Sequence, residues 1–245
     1  MTPDQIILAL DVDTADEALA WARRIQGRVG TCKVGLQLFL RDGDKVLRGL
    51  KDLWMPVFLD LKFHDIPNTV AQAVAAVAVW KPRFLTLHAS GGREMMEAAQ
   101  AKAPKETCLL GVTVLTSLSE KAAAEIGLGG GVQGSVERLS SLAKSAGLGG
   151  VVCSPQEASG ERKRWGSGEI VTRGATPGHR KRGPEPGDDA ERGDSSRGIP
   201  DCGGASGLTG RATGSGFGPN FSGLRPGLFT WRTAGRGKDH GPQDH

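Results

Sequence analysis

The sequence predicts an α/β protein, a parallel sheet covered by helices and closed as a (β/α)8 barrel of the TIM type. Three observations carry that prediction. Apolar strand-like runs alternate with helical stretches six times in the first 154 residues. The runs are near-continuously apolar, as strands buried on both faces must be. The repeat is regular and no G-x-G-x-x-G follows the first run, which weighs against an open dinucleotide-binding sheet.

Each element has its own grounds. Residues 5–12 form the first predicted strand, which carries an acid, Asp11, near its end. Residues 14–25 follow as a helix, with Thr14 as cap and Ala18, Leu19, Trp21 and Ile25 on its apolar side. Residues 32–36 are a second strand carrying Lys33, and a helix near 43–53 leads to the third. That third strand, Met55-Pro56-Val57-Phe58-Leu59, runs straight into Asp60-Leu61-Lys62-Phe63-His64-Asp65-Ile66-Pro67-Asn68-Thr69. An alanine-rich helix over 68–79 precedes a strand at 84–88 that ends in His88. A helix at 93–103, a strand at 108–116 ending in Thr116, a helix near 135–146 and a strand at 150–154 ending in Ser154 complete six units. Residues 169–172 begin a seventh strand.

Composition breaks after this point. Up to residue 159 there are 17 Lys and Arg against 17 Asp and Glu, so the whole formal charge of +4 belongs to the last 86 residues. Those residues hold 21 of the 37 glycines but only nine Leu, Ile, Val or Phe. About a tenth is well below the roughly 20% needed for a packed core. The expected organisation is an incomplete barrel domain over 1–172, with strands seven and eight missing from the ring, and a Gly/Arg/Pro-rich, disordered tail over 173–245. The four cysteines show no C-x-x-C spacing, so no zinc site or disulfide framework is expected. No segment approaches the roughly 18 apolar residues of a membrane helix, so no membrane is expected as a partner, and a reducing cytoplasm is the expected compartment.

In a barrel of this kind reactive groups collect at the C-terminal ends of the strands. Here those ends carry Asp11, Lys33, Asp60 with Lys62, His88, Thr116 and Ser154. An Asp and a Lys two apart at a strand end are in most chains a solvated rim pair, and a lone His88 reads first as a hydrogen-bonded core histidine. Six successive polar strand ends together read as one site. On a strand Phe58, Asp60 and Lys62 share a face, with Asp65 where the chain turns away. Charges so placed need a partner or a task.

The ten-residue string from Asp60 to Thr69 resembles the signature of orotidine 5'-phosphate decarboxylases. Leu8-Ala9-Leu10-Asp11, Lys33-Val34-Gly35, Leu87-His88-Ala89, Val114-Leu115-Thr116-Ser117 and Val152-Cys153-Ser154-Pro155 match that family in order, over about residues 5–172. The resemblance implies cofactor-independent and metal-free decarboxylation of orotidine 5'-phosphate to uridine 5'-phosphate. It implies Lys62 as the proton donor to the pyrimidine C6, Asp60 beside the substrate carboxylate, and Lys33 with Asp11 orienting the ribose and the charged network. It further implies a homodimer in which Asp65, with Ile66 and Thr69, reaches the neighbouring subunit's site. Pro67 and Asn68 belong to the same substrate-binding turn, and Thr116 and Ser154 neighbour the ribose and base.

The departures from the family pattern lie at the end of the match. The family's seventh strand leads to a Pro-Gly-Ile-Arg-Pro phosphate loop, whereas Arg173-Gly174-Ala175 stands here and Pro177-Gly178-His179-Arg180 is a loose echo. Arg180 is the nearest stand-in for the phosphate-binding arginine, and no counterpart of the eighth strand follows. The Gly, Arg, Pro, Ala and Ser of the tail are what G+C-rich coding DNA yields when read out of frame, so a frameshift near residues 172–173 is expected. Two alternatives stand beside this reading. One is a related sugar-phosphate decarboxylase or synthase, which uses the D-x-K-x-x-D acids on magnesium. The other is an inactive, frameshifted product with a basic tail; with ten acids and no regular RGG repeat, that tail is not expected to bind nucleic acid.

Overall fold

The computed structural model describes residues 2–173 and the backbone of Thr230–Ala234, all within one structural unit. Eight strands close into a barrel in chain order: β1 Ile6–Ala9, β2 Thr31–Gly35, β3 Val57–Phe63, β4 Phe84–His88, β5 Cys108–Val112, β6 Gly150–Cys153, β7 Glu169–Arg173 and β8 Thr230–Ala234. Neighbours from β1 to β7 pair in parallel. The α/β barrel class therefore holds. The seventh strand, expected from the sequence to be missing from the ring along with the eighth, is formed over residues 169–173.

The eighth place is taken differently from a repeating β/α unit. β8 runs antiparallel to both neighbours, with Val171 opposite Thr233 and Ile7 opposite Trp231. A parallel seven-stranded sheet presents two edges of unpaired N–H and C=O groups, on β1 and β7. A strand paired antiparallel to both satisfies these two edges, and antiparallel pairing requires no crossover helix. The remainder of the predicted tail, including Arg180 and the predicted phosphate-loop echo, lies outside the described residues.

Among the described residues seven α-helices cover the barrel: α1 Ala15–Ile25, α2 Leu36–Asp52, α3 Pro67–Val77, α4 Arg93–Lys102, α5 Glu120–Glu125, α6 Gly131–Ser145 and α7 Ala158–Trp165. Thr14 caps α1 as predicted, its hydroxyl accepting from the Glu17 N–H at 3.2 Å. α2 starts earlier than predicted and bends at Asp42, whose carboxylate leaves the helix line to accept the Ala15 N–H at 3.0 Å. The bend thus satisfies an orphan donor in the first turn of α1. α5 and α7 were not predicted. α7 is held by a buried chain in which Trp165 Nε1 donates to Ser140 Oγ at 2.8 Å and that hydroxyl donates to Glu161.

Alternation along the strands separates two apolar layers. Leu8, Cys32, Leu59, Leu85, Leu109, Val151 and Ile170 point outward beneath the helices. Ile7, Phe58, Phe84, Leu110, Val112, Val152 and Val171 fill the barrel interior, with Phe58 and Phe84 edge to face at 5.8 Å. Gly150 is required where β6 meets β7, since a Cβ there would lie 2.1 Å from the Glu169 carbonyl oxygen. The interior plug fills the barrel below its C-terminal mouth, so polar residues of the same parity further along each strand gather above it.

Candidate active site

Lys33 and Asp60 have that inward parity, two residues beyond Thr31 and Phe58 respectively, and both are buried. Together with Asp11 and Lys62 they form a row of alternating charge across β1, β2 and β3. Lys33 Nζ lies 3.1 Å from Asp11 Oδ1 and 3.6 Å from Asp60 Oδ2. Lys62 Nζ lies 2.8 Å from Asp60 Oδ1. Each buried carboxylate oxygen of Asp60 thus faces an ammonium group, the condition under which a charge can stay ionised away from water. A cavity of about 270 Å³ opens above this row, lined by Asp11, Lys33, Asp60 and Lys62 with Gly35 and Gln37 at its edge.

Lys62 does not reach Asp60 by simple strand alternation. The β3–β4 register runs through Leu59 opposite Leu85 and resumes at Phe63 opposite Leu87, so β3 carries two extra residues between those points. Within the bulge Lys62 takes φ +50°, a left-handed conformation that costs a non-glycine residue roughly 1–2 kcal/mol. Two hydrogen bonds from one side chain span the bulge. The Lys62 N–H donates to Thr86 Oγ1 at 2.9 Å, and that hydroxyl donates to Asp60 Oδ1 at 3.1 Å. Thr86 is fully buried on β4. It is a site residue that sequence reasoning missed; its parity with Phe84 and His88 was the available signal.

The remaining predicted residues divide into two groups. Ser154 stands at the end of β6 with its Oγ buried and without a hydrogen-bond partner, and Thr113 Oγ1, just past β5, is in the same state. Buried hydroxyls without partners are rare and call for an explanation. Thr116 is exposed in the loop after β5. Asp65 is not brought to Lys62: its side chain is exposed and its Oδ1 accepts the neighbouring Ile66 N–H at 2.6 Å. Pro67 opens α3, while Asn68 and Thr69 in its first turn are exposed, as is Ile66.

His88 is half-buried at the end of β4, its ring 5.2 Å from that of His64. Burial, then the positive fields of His64 and Lys62, hold its pKa below the ordinary imidazole value. Burial also pushes the thiols of Cys32, on β2, and Cys153, on β6, up to about 12. Both lie on the outward faces beneath the helices, not in the cavity. Among the described residues, no group of three or more His, Cys, Asp or Glu is placed to hold a metal ion, and no helix is long and apolar enough to cross a membrane.

Seven parallel strands and an antiparallel eighth thus carry alternating lysines and carboxylates at the mouth of an α/β barrel, and the relatives described next make the chain a carboxy-lyase. The chain belongs to the Orotidine 5'-phosphate decarboxylase / HUMPS family, whose profile matches residues 4–200. A relative from Sphingopyxis alaskensis, called orotidine 5'-phosphate decarboxylase, is 46% identical over 172 residues, 70% of this chain and 77% of the relative. One of the same name from Novosphingobium aromaticivorans is 44% identical over 178 residues, 73% of this chain and 80% of the relative. Among solved structures, orotidine 5'-phosphate decarboxylase from Lactobacillus acidophilus superposes with a TM-score of 0.60 at 35% identity, covering 66% of this chain and 76% of that one. An uncharacterized conserved protein from Geobacillus kaustophilus reaches 0.63 at 38% identity, covering 68% and 81%.

Proposed function

We propose that this barrel mouth is built to decarboxylate orotidine 5'-phosphate to uridine 5'-phosphate without a cofactor, as the names of its relatives suggest. The observation that carries the reading is the Asp11, Lys33, Asp60, Lys62 row, with a different lysine at each oxygen of the buried Asp60. When the C6–carboxylate bond breaks, its electron pair stays on C6, where no ring carbonyl is placed to delocalise it. The Lys62 ammonium, held beside Asp60, would stabilise that charge and donate its proton to C6. CO2 departs and the lysine regains a proton from solvent. Fixed charge aimed at the reacting atoms usually does more than any other effect to lower such a barrier. Asp60 also presses on the substrate carboxylate; like charges about 4 Å apart cost roughly 4 kcal/mol at an effective dielectric of 20, relieved as CO2 leaves.

Ser154 and Thr116 would contact the ribose and base, and the unpartnered hydroxyl of Ser154 supports this. The outward-turned Asp65 and the exposed Ile66 and Thr69 fit a homodimer in which they complete the neighbouring site. A reducing cytoplasm is the proposed compartment, on the cysteine usage of the sequence. The related magnesium-dependent synthases are disfavoured by the donor set, because a cation at Asp60 would meet two ammonium groups.

The chain as written should turn over weakly. The family's phosphate grip follows strands seven and eight, and binding at that remote group supports chemistry at the ring. The frameshift near residues 172–173 accounts for its loss. Assaying the purified chain with orotidine 5'-phosphate tests the reading. Slow, chelator-insensitive decarboxylation that vanishes in Lys62→Ala supports it, and turnover surviving that substitution or requiring magnesium overturns it. Resequencing codons 157–245 tests the frameshift, which an uninterrupted frame encoding this tail would eliminate.

A further inference from the structure

We propose that Thr86 is the positioning residue of the lysine–carboxylate pair, a single hydroxyl that sets both the backbone of Lys62 and the carboxylate of Asp60. The catalytic half of this inference rests on the function proposed above; the structural half does not.

Between the Leu59–Leu85 and Phe63–Leu87 pairs, three residues of β3 are opposed by Thr86 alone. An ordinary parallel ladder cannot supply a partner for every N–H in such a stretch, and Lys62, turned to φ +50°, directs its N–H at the Thr86 side chain. A hydroxyl has one proton to give and lone pairs to accept with. Thr86 uses both functions, accepting from Lys62 at 2.9 Å and donating to Asp60 Oδ1 at 3.1 Å. The same Oδ1 receives the Lys62 ammonium at 2.8 Å. Asp60 Oδ1, the Lys62 main chain, the Lys62 Nζ and Thr86 Oγ1 therefore form one closed circuit, inside which neither charged group can turn without breaking a bond held by the other.

Thr86 is completely buried, so water cannot take over its hydrogen bonds. Valine has the same shape but can neither accept nor donate; serine keeps the hydroxyl and loses a methyl group. The two substitutions separate the circuit from the packing. Misplacing a reacting group by about 1 Å can cost on the order of 100-fold in rate.

The experiment compares the full chain with Thr86→Val and Thr86→Ser by amide hydrogen exchange, thermal unfolding and decarboxylation kinetics. The Lys62 amide should exchange at least about 10-fold faster in Thr86→Val, and within about threefold of the parent in Thr86→Ser, while amides of β2 and β5 keep their rates in both. Where turnover is measurable, Thr86→Val should lower kcat about 100-fold with KM within about threefold, and Thr86→Ser should restore most of the rate. Unchanged Lys62 exchange in Thr86→Val overturns the proposal, as does equal loss of exchange protection in both variants, which would make Thr86 a packing residue only. Fast Lys62 exchange with an unaltered kcat overturns the catalytic half. A parent chain silent toward orotidine 5'-phosphate speaks against the proposed activity, and the amide comparison still decides the role of Thr86.

Discussion

The two sides of the barrel mouth are built on opposite principles. From β1 to β4 every buried polar group of the site has its partner within the protein: Lys33 has two carboxylates, Asp60 has two lysines and a hydroxyl, and Thr86 uses both its proton and its lone pair. From β5 to β6 the buried hydroxyls of Thr113 and Ser154 have none. Beyond β7 the ring is closed by an antiparallel strand. A closed network holds its charges in place before any ligand arrives, whereas an unpartnered hydroxyl stays open to a further bond. On the function proposed above, the first side is equipped for chemistry and the second for binding.

The sharpest way to break that comparison is to exchange the residues beyond β7. Replacing residues from 173 onward by the corresponding part of the Sphingopyxis alaskensis relative should raise decarboxylation by on the order of 1,000-fold, because remote phosphate binding would again support the transition state. Steady-state rates of the chimera and the parent chain, each with Lys62→Ala as background, measure this. A chimera no faster than the parent would place the defect in the charged row itself.

The next effect is one of stability. Lys33→Met leaves Asp60 short of one partner and deprives Asp11 of its buried one, and should cost about 3 kcal/mol, as removal of one member of a buried ion pair does. A urea midpoint shift at unchanged slope would report it. Lys45→Met breaks a shorter pair, 2.8 Å to Asp16, but both groups are exposed and no midpoint shift is expected. A shift for Lys45 as large as for Lys33 would mean that burial does not distinguish them.

On the other side, Ser154→Ala and Thr113→Val each remove a hydroxyl that has no partner to lose. Their stability should stay within about 0.5 kcal/mol of the parent or rise by up to about 1 kcal/mol, since an unsatisfied buried polar group is itself a cost. Ser154→Ala should weaken substrate binding all the same. Destabilisation beyond about 1 kcal/mol would show these hydroxyls to be structural and erase the contrast.

How far each side was legible in the sequence follows from the same difference. The strands β1 to β6 declare themselves because burial on both faces forces continuous apolar runs, and charges such as Lys33 and Asp60 stand out against that background. Thr86 does not, since threonine is an ordinary strand residue and only the register shift opposite Lys62 gives its hydroxyl a task. The left-handed turn at Lys62 was equally silent, because nothing in a lysine announces a positive φ. The helix α7 was missed because Glu161 and Trp165 are its buried residues, too few to make an apolar stripe, and Glu161 needs Ser140 as a partner before it can be inside. β8 left no periodic signal at all; the open edges of β1 and β7 select it, and those edges are a property of the rest of the barrel.

His88 gives the smallest effect and tests how tightly the charged side is coupled. Burial, His64 and Lys62 all disfavour its cation, so its folded pKa lies below that of the unfolded chain, near 6.5. Well above pH 6.5 both states hold the ring neutral and His88 adds no pH dependence. As pH falls through the window between the unfolded and the folded pKa, the unfolded chain binds the proton first, and stability declines with it. His88→Asn removes that proton uptake, so its stability should fall less steeply than the parent's as the pH drops from about 7 to about 5, with the two curves parallel above about pH 7. Restoring distance from the positive charges should work in the same direction: Lys62→Met lowers the field on His88, raises its pKa toward the unfolded value and narrows the window. Urea midpoints across this pH range decide the matter. Parallel curves for the parent and His88→Asn would detach His88 from the charged row, and a steeper acid decline in His88→Asn would reverse the sign of the coupling altogether.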